Sequence, residues 1–382
     1  MGAKDILIIA GENSGDLHGS NLVRELFQQD PELNITGIGG GQLRMAGVDL
    51  IANIVDRLAI IGVTGVVKNA ERIIRLYRKV LKYFDEVKPA AVILIDYPGF
   101  NFKVMKAARK RGIPVIYYIM PQVWAWHRSR IYTLRDSTAR MLVVFPFEEN
   151  LCRSVGMDQV RYVGHPLLDV MNLTMTRDEV FQKFGFDRDK KLIGLLPGSR
   201  ESEIDRLLPG MIGAAERIQK VLPNVQFALP RASTIKKEAI QHYVSAADID
   251  VKVVDAFRYN VRSVMDFALV KSGTSTLETA ILVCPMVIIY KVSFLAWMIA
   301  KNVVKLPYIG LVNIIAGEMI VPELLQNEAT PLNIAEKTIE ILGDEKTLQN
   351  VKYDLERVKE KLGGPGASRR AAEQVIEVLN GK

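Results

Sequence analysis

ILIIAGENSGDLHGSNLVREL, residues 6–26, starts as an apolar run, turns through glycine and continues with helical spacing. A buried strand feeding a helix through a tight turn is the opening unit of a doubly wound α/β domain, so this stretch decides the fold class. The dinucleotide fingerprint on such a unit is G-x-G-x-x-G, whose glycines let the backbone approach a pyrophosphate at the helix N-terminus. Here Gly11, Gly15 and Gly19 recur at every fourth residue, with Glu12 and Asp16 between them. Two carboxylates in the turn would repel a pyrophosphate, which argues against a dinucleotide.

Further along, strand-length apolar runs alternate with helix-like segments: AAVILID (90–96), PVIYYI (114–119) and MLVVF (141–145). A second series follows Gly164-His165-Pro166: KLIGLLPG (191–198), VQFALP (225–230), VKVV (251–254), FALVKSG (267–273) and MVIIY (286–290). Continuous rather than alternating apolar character means burial on both faces, hence parallel strands joined by crossover helices. A chain of 382 residues exceeds one ordinary core, so the two series predict two doubly wound, Rossmann-like domains facing an inter-domain cleft. The expected domains are 1–170 and 171–365. Ligands of such sheets bind beyond the carboxyl ends of the strands.

Composition narrows the function. Two cysteines far apart and four scattered histidines support neither a disulfide framework nor a metal cluster. The N-terminus runs straight into a strand pattern without a signal-peptide succession, so a cytoplasmic location is expected. The apolar region 281–304 is interrupted by Pro285, Lys291 and Lys301, unlike a clean spanning helix. A net charge of +7 suits an anionic partner. Without a recognisable nucleic-acid module, no nucleic-acid partner is expected, although Trp124, Trp126, His127 and nearby arginines interleave aromatic and basic character.

Three strand ends carry residues suited to chemistry. LLPGSRESEI (195–204) offers Ser199 as a helix cap, and the exposed amides of Ser199 and Arg200 with the Arg200 guanidinium to hold a phosphate; an ordinary capped helix with a surface arginine is the plainer alternative. VKSGTSTLETAI (270–281) supplies Gly273, Thr274 and Ser275 for a diphosphate, and Glu278 for ribose hydroxyls or for the helix dipole. Asp96, at the end of an apolar strand, suits a general base with a raised pKa, or else a carboxylate bracing the following turn beside Asn101.

Residues 60–84 begin apolar and become an amphipathic basic helix, with six Lys/Arg between Lys68 and Tyr83 against Glu71. Ile73, Leu76, Tyr77 and Val80 then suit either a membrane interface or a helix packed on the sheet. A second apolar-basic stretch at 292–313, with Trp297, Lys301 and Lys305, adds to the membrane reading. The apolar 281–325 region would serve a homodimer as readily.

In order and spacing, GENSGD, GGGQLRMAG, LAIIGVTGVV, IDYPGFN, VWAW, VGHPLLD, LLPGSRESEI, SGTSTLE, CPMVIIY and LVNIIAGEMIVPELLQ resemble the lipid-A-disaccharide synthase family. These are inverting glycosyltransferases of the GT-B fold. The resemblance implies transfer of 2,3-diacylglucosamine from UDP-2,3-diacylglucosamine to 2,3-diacylglucosamine 1-phosphate (lipid X), forming a β-1,6-linked disaccharide 1-phosphate and UDP. It implies no metal and no cofactor, and a peripheral position on the cytoplasmic face of the inner membrane, where an anionic surface is the partner.

By residue, the resemblance makes Asp96 the general base for the acceptor 6-hydroxyl and sets Arg200 against the departing diphosphate. Ser272, Gly273 and Thr274 cradle that diphosphate, and Glu278 meets the ribose. Asn313 matches the asparagine of a Leu-Pro-Asn pattern in which Val312 replaces the proline. The opening loop then faces the acceptor side, where amides around Ser14 and Gly15 contact the reacting sugar and Glu12 and Asp16 accept from hydroxyls or start the helix. A closing helix at 366–382 is expected to return to the first domain. Rival readings on this fold are a UDP-sugar 2-epimerase, a UDP-N-acetylglucosamine transferase, and a non-catalytic nucleotide-binding membrane adaptor.

Overall fold

The computed structural model describes residues 4–55, 66–293, 297–298 and 306–381. LAIIGVTGVV (58–67) lies almost wholly outside the described residues, as does much of 292–313. The chain divides into two compact units, Met1–Asp169 with Leu362–Lys382, and Val170–Lys361.

In the first unit, strands β1 (Asp5–Ala10), β2 (Asn34–Gly39), β3 (Asp49–Asn53), β4 (Ala91–Ile95), β5 (Val115–Tyr118), β6 (Arg140–Val143) and β7 (Val160–Tyr162) form one sheet. Their order is β3-β2-β1-β4-β5-β6-β7 and every pair is parallel. Ile6, Leu7, Ile8 and Ile9 of β1 and Val92, Ile93, Leu94 and Ile95 of β4 are fully buried. Each such side chain contributes about 1.5–3 kcal/mol. That burial requires helices on both faces, which the crossover connections supply.

The helix Ala367–Leu379 packs on the helix Asn13–Gln29 of the same unit. Its start is held by the Asp169 carboxylate, which accepts from the amides of Gly366 (2.6 Å), Ala367 (3.3 Å) and Ser368 (2.7 Å). A carboxylate at a helix N-terminus satisfies donors that have no partner within the helix.

The second unit repeats the scheme with β8 (Lys191–Leu196), β9 (Val225–Pro230), β10 (Val251–Val254), β11 (Phe267–Lys271), β12 (Met286–Tyr290) and β13 (Glu323–Leu325). The order is β10-β9-β8-β11-β12-β13, again parallel. In each sheet the winding reverses once, between β1 and β4 and between β8 and β11, and at such points the two diverging connections leave a crevice at the strand ends.

The basic helix Val66–Val87 corrects part of the membrane expectation. Leu76, Val80 and Phe84, at helical spacing of four, are buried, so Leu76 and Val80 belong to the core. Tyr77 is half-buried and meets the Phe100 ring edge-on at 6.4 Å. Ile73 and Ile74 are exposed, whereas Trp297 is half-buried. Among the described residues no helix is long and apolar enough to cross a membrane.

This division sets an expectation for stability. Val80→Asn buries an amide without a designed partner and should cost about 2–4 kcal/mol. Ile74→Asn on the exposed face should stay within about 0.5 kcal/mol. Thermal denaturation of the two variants checks the assignment, and equal melting temperatures would contradict it.

Candidate functional site

The loop after β1 and the turn after β4 flank the switch point of the first sheet. Glu12 is the extended residue before the helix Asn13–Gln29 and its side chain is exposed. Gly15 packs close to Ala10 and Ile95, and Ser14 is half-buried. Asp16 departs from expectation. Its buried carboxylate accepts from the amides of Gly40 (2.6 Å), Gln42 (2.9 Å) and Leu43 (3.4 Å), fastening the start of the helix Gly41–Met45. Asp16 is therefore a brace for GGGQLRM.

Asp96 is half-buried at the end of β4. Burial pushes its carboxyl up to about 6, the charge of Glu12 adds to the rise, and a hydrogen bond from the Tyr97 amide opposes it. A carboxylate so placed is ionised at neutral pH yet basic enough to take a proton. The ring of Tyr97 lies against Gly11 so closely that a Cβ there would overlap it. The glycine of the opening turn is thus required by a neighbouring ring.

Glu148 is a site-adjacent acid that sequence reading missed. Fully buried in the helix Pro146–Ser154, it accepts from Trp124 Nε1 (3.0 Å) and from the amides of Val144 and Phe145 (both 3.2 Å). Burial pushes it up to about 7 against those donors, and the Asp96 charge contributes. It joins the VWAW segment to the end of β6. The signal was present in the sequence: Pro146 followed by Glu148 is the spacing of a helix start that binds its own backbone. Trp126 remains exposed, with the Arg130 guanidinium 5.4 Å from its ring centre and 5.3 Å from that of Phe102.

In the second unit the turns after β8 and β11 flank the other switch point. The amides of Ser199 and Arg200, expected to face a phosphate, instead donate to Glu203 Oε2 at 3.0 and 3.3 Å. Glu203 Oε1 is paired with Lys271 at 3.0 Å and stands 3.9 Å from Arg200. Burial raises the Glu203 carboxyl, but Lys271, the Ser199 amide and the Arg200 charge together hold it below the usual range. The Arg200 side chain itself is 70% exposed and open to an anion. Lys271, the last residue of β11, is a second cation that sequence reading missed; its place immediately before Ser272-Gly273 was the available clue.

Gly273 has φ of +145°, a conformation closed to L side chains, and begins the helix Thr274–Ile281. Ser272 is buried, with its amide donating to Ile289 O at 2.9 Å. Glu278 pairs with Arg262 in a largely buried ion pair and accepts from the Tyr259 hydroxyl at 3.1 Å. Asn313 differs from expectation: fully buried, it donates to Val321 O (2.9 Å) and Glu323 (2.8 Å) and accepts from the amides of Ile320 (3.0 Å) and Val321 (3.1 Å). All four hydrogen-bonding positions of that amide are filled. Asn313 therefore braces the approach to β13 with every hydrogen-bonding position of its side chain engaged. Among the described residues, no group of three or more His, Cys, Asp or Glu is placed to hold a metal ion.

The comparisons with known proteins bear on fold and family separately. The UDP-GlcNAc 2-epimerase of Neisseria meningitidis, solved with UDP-GlcNAc, superposes with a TM-score of 0.64 at 14% identity, covering 99% of this chain and 100% of that one. The calicheamicin glycosyltransferase superposes with a TM-score of 0.64 at 13% identity, covering 100% and 99%. These likenesses show the fold, that of GT-B glycosyltransferases and epimerases. The lipid-A-disaccharide synthase of Syntrophus aciditrophicus is 43% identical over 380 residues, 99% of either chain. The family model described as lipid-A-disaccharide synthetase matches residues 6–378, and the chain belongs to that family, glycosyltransferases of lipid A biosynthesis.

Proposed function

We propose that the chain transfers 2,3-diacylglucosamine from UDP-2,3-diacylglucosamine to the 6-hydroxyl of 2,3-diacylglucosamine 1-phosphate, with inversion at the anomeric carbon. The acceptor oxygen forms the new bond to that carbon. The bond from carbon to the diphosphate oxygen breaks, its electron pair departs with UDP, and the hydroxyl proton passes to Asp96. The observation that carries this reading is the half-buried Asp96 carboxyl at the switch point of the first sheet, raised to about 6 beside Glu12. Glu12, Ser14 and Gly15 serve the acceptor side of the reaction.

The nucleotide half of the reaction draws on the second unit. Arg200 and Lys271 supply positive charge as negative charge develops on the leaving diphosphate, which is the largest electrostatic demand of the step. Ser272, Gly273 and Thr274 offer a positive-φ turn leading into a helix N-terminus, and Glu278 lies one turn further in, for ribose. Ser199 contributes as the neighbour of Arg200.

Asp96→Asn tests the assignment. Turnover of the two acylated glucosamine substrates, followed by mass detection of disaccharide 1-phosphate, should fall by about 10²–10⁴-fold while UDP binding persists. A base must be deprotonated to act, so wild-type kcat/KM should decline as pH falls through about 6. Asp96→Asn with wild-type turnover would overturn the role.

For location we propose peripheral attachment to the cytoplasmic face of the inner membrane. The exposed Ile73 and Ile74 stand among the exposed Arg72, Arg75 and Arg78, pairing apolar contact with attraction to anionic headgroups. Replacing both isoleucines by aspartate should reduce binding to phosphatidylglycerol-containing vesicles by about tenfold or more without lowering the melting temperature. Unchanged vesicle binding would remove this surface from consideration.

A further inference from the structure

Asp96 and Tyr97 both lie in the left-handed region, with φ of +45° and +47°. Neither is glycine, so each Cβ crowds a carbonyl oxygen and the backbone tends to relax. The pair turns the chain sharply between β4 and the helix Pro98–Lys110. Two donors oppose relaxation by meeting on one atom. The Tyr117 hydroxyl donates to the Asp96 carbonyl oxygen at 2.7 Å and Asn101 Nδ2 donates to it at 2.8 Å. Asn101 Nδ2 also reaches the Ile95 carbonyl oxygen at 3.2 Å. Both side chains are fully buried, one on β5 and the other one turn into the helix.

We propose that Tyr117 and Asn101 are positioning residues for the glycosyl transfer: by fixing the Asp96 carbonyl they fix the direction in which the Asp96 carboxyl leaves the strand. The inference rests on the reading of Asp96 as general base. A base acts only within hydrogen-bond reach of the proton it takes, and displacement by about 1 Å costs up to about 100-fold in rate. Neither donor bonds the carboxyl itself, so losing one loosens and hydrates the group without altering its own bonds. The titratable and charged groups acting on this corner are Glu12 from the opening loop, Glu148 from the helix Pro146–Ser154, and Arg130 through Tyr117.

Tyr117→Phe removes one oxygen and keeps the buried ring. In the full-length enzyme it should lower kcat about tenfold, leave KM for both substrates within about twofold, and move the acid limb of the pH profile to lower pH. A better hydrated carboxyl ionises more readily, which sets that direction. In an Asp96→Asn background, Tyr117→Phe should add no further loss, because the group it orients is gone. Equal loss in both backgrounds, or wild-type kcat with an unmoved acid limb, would overturn the proposal. If Asp96→Asn alone keeps wild-type turnover, the base assignment fails. If it abolishes turnover while Tyr117→Phe is silent, only the positioning role fails. Should Tyr117→Phe not fold, Asn101→Ser is read by the same criteria.

Discussion

Two adjacent left-handed residues at one strand end, Asp96 and Tyr97, constrain much of the first unit. Such conformations cost about 1–3 kcal/mol each and persist only where their surroundings over-determine them. Here the surroundings come from three elements. The opening loop must carry glycine at 11 because the Tyr97 ring fills the space of a side chain, and β5 and the helix Pro98–Lys110 each send a buried donor to the same carbonyl. The strained turn is thus held in place directly beside the raised Asp96 carboxyl.

A second theme is the use of carboxylates as internal anions. Asp16, Asp169, Glu148, Glu203 and Glu323 each accept from two or more backbone amides. Parallel sheets with short connections create many helix starts whose N–H groups need acceptors. The chain satisfies them with its own acids, fixing the geometry of the loops. Glu203 goes further, since it joins the PGSR turn to Lys271 and so connects the two strand-end turns of the second sheet.

The fold was legible because ILIIA and AVILI are apolar at every position, a pattern that only burial on both faces explains. The partners of polar side chains were not. Asp16 finds amides 24 to 27 residues away, and nothing local distinguishes that from a carboxylate awaiting a sugar. Asn313 is satisfied by groups 7 to 10 residues further on, in a segment whose path the sequence did not reveal. On the basic helix, Ile73 and Ile74 adjoin Leu76 and Val80 so closely that periodicity could not divide exposed from core-facing positions; burial does. Lys271 and Glu148 were overlooked because each stands beside a more conspicuous motif, SGTSTLE and VWAW.

The Asp169 cap on the helix Ala367–Leu379 also bears on how the protein is made. The first unit is discontinuous: residues 170–361 are synthesised between its two parts. Domains generally form as they leave the ribosome, N-terminal first. This one cannot finish in that order, because Leu22, Val23 and Leu26 on its first helix and Ala371, Ala372 and Val375 on its last are buried in the finished unit. The second unit has its whole sequence available earlier. The half of the protein whose first strand is translated earliest is therefore the half completed last, and its nascent form has to remain soluble through the synthesis of an entire second sheet.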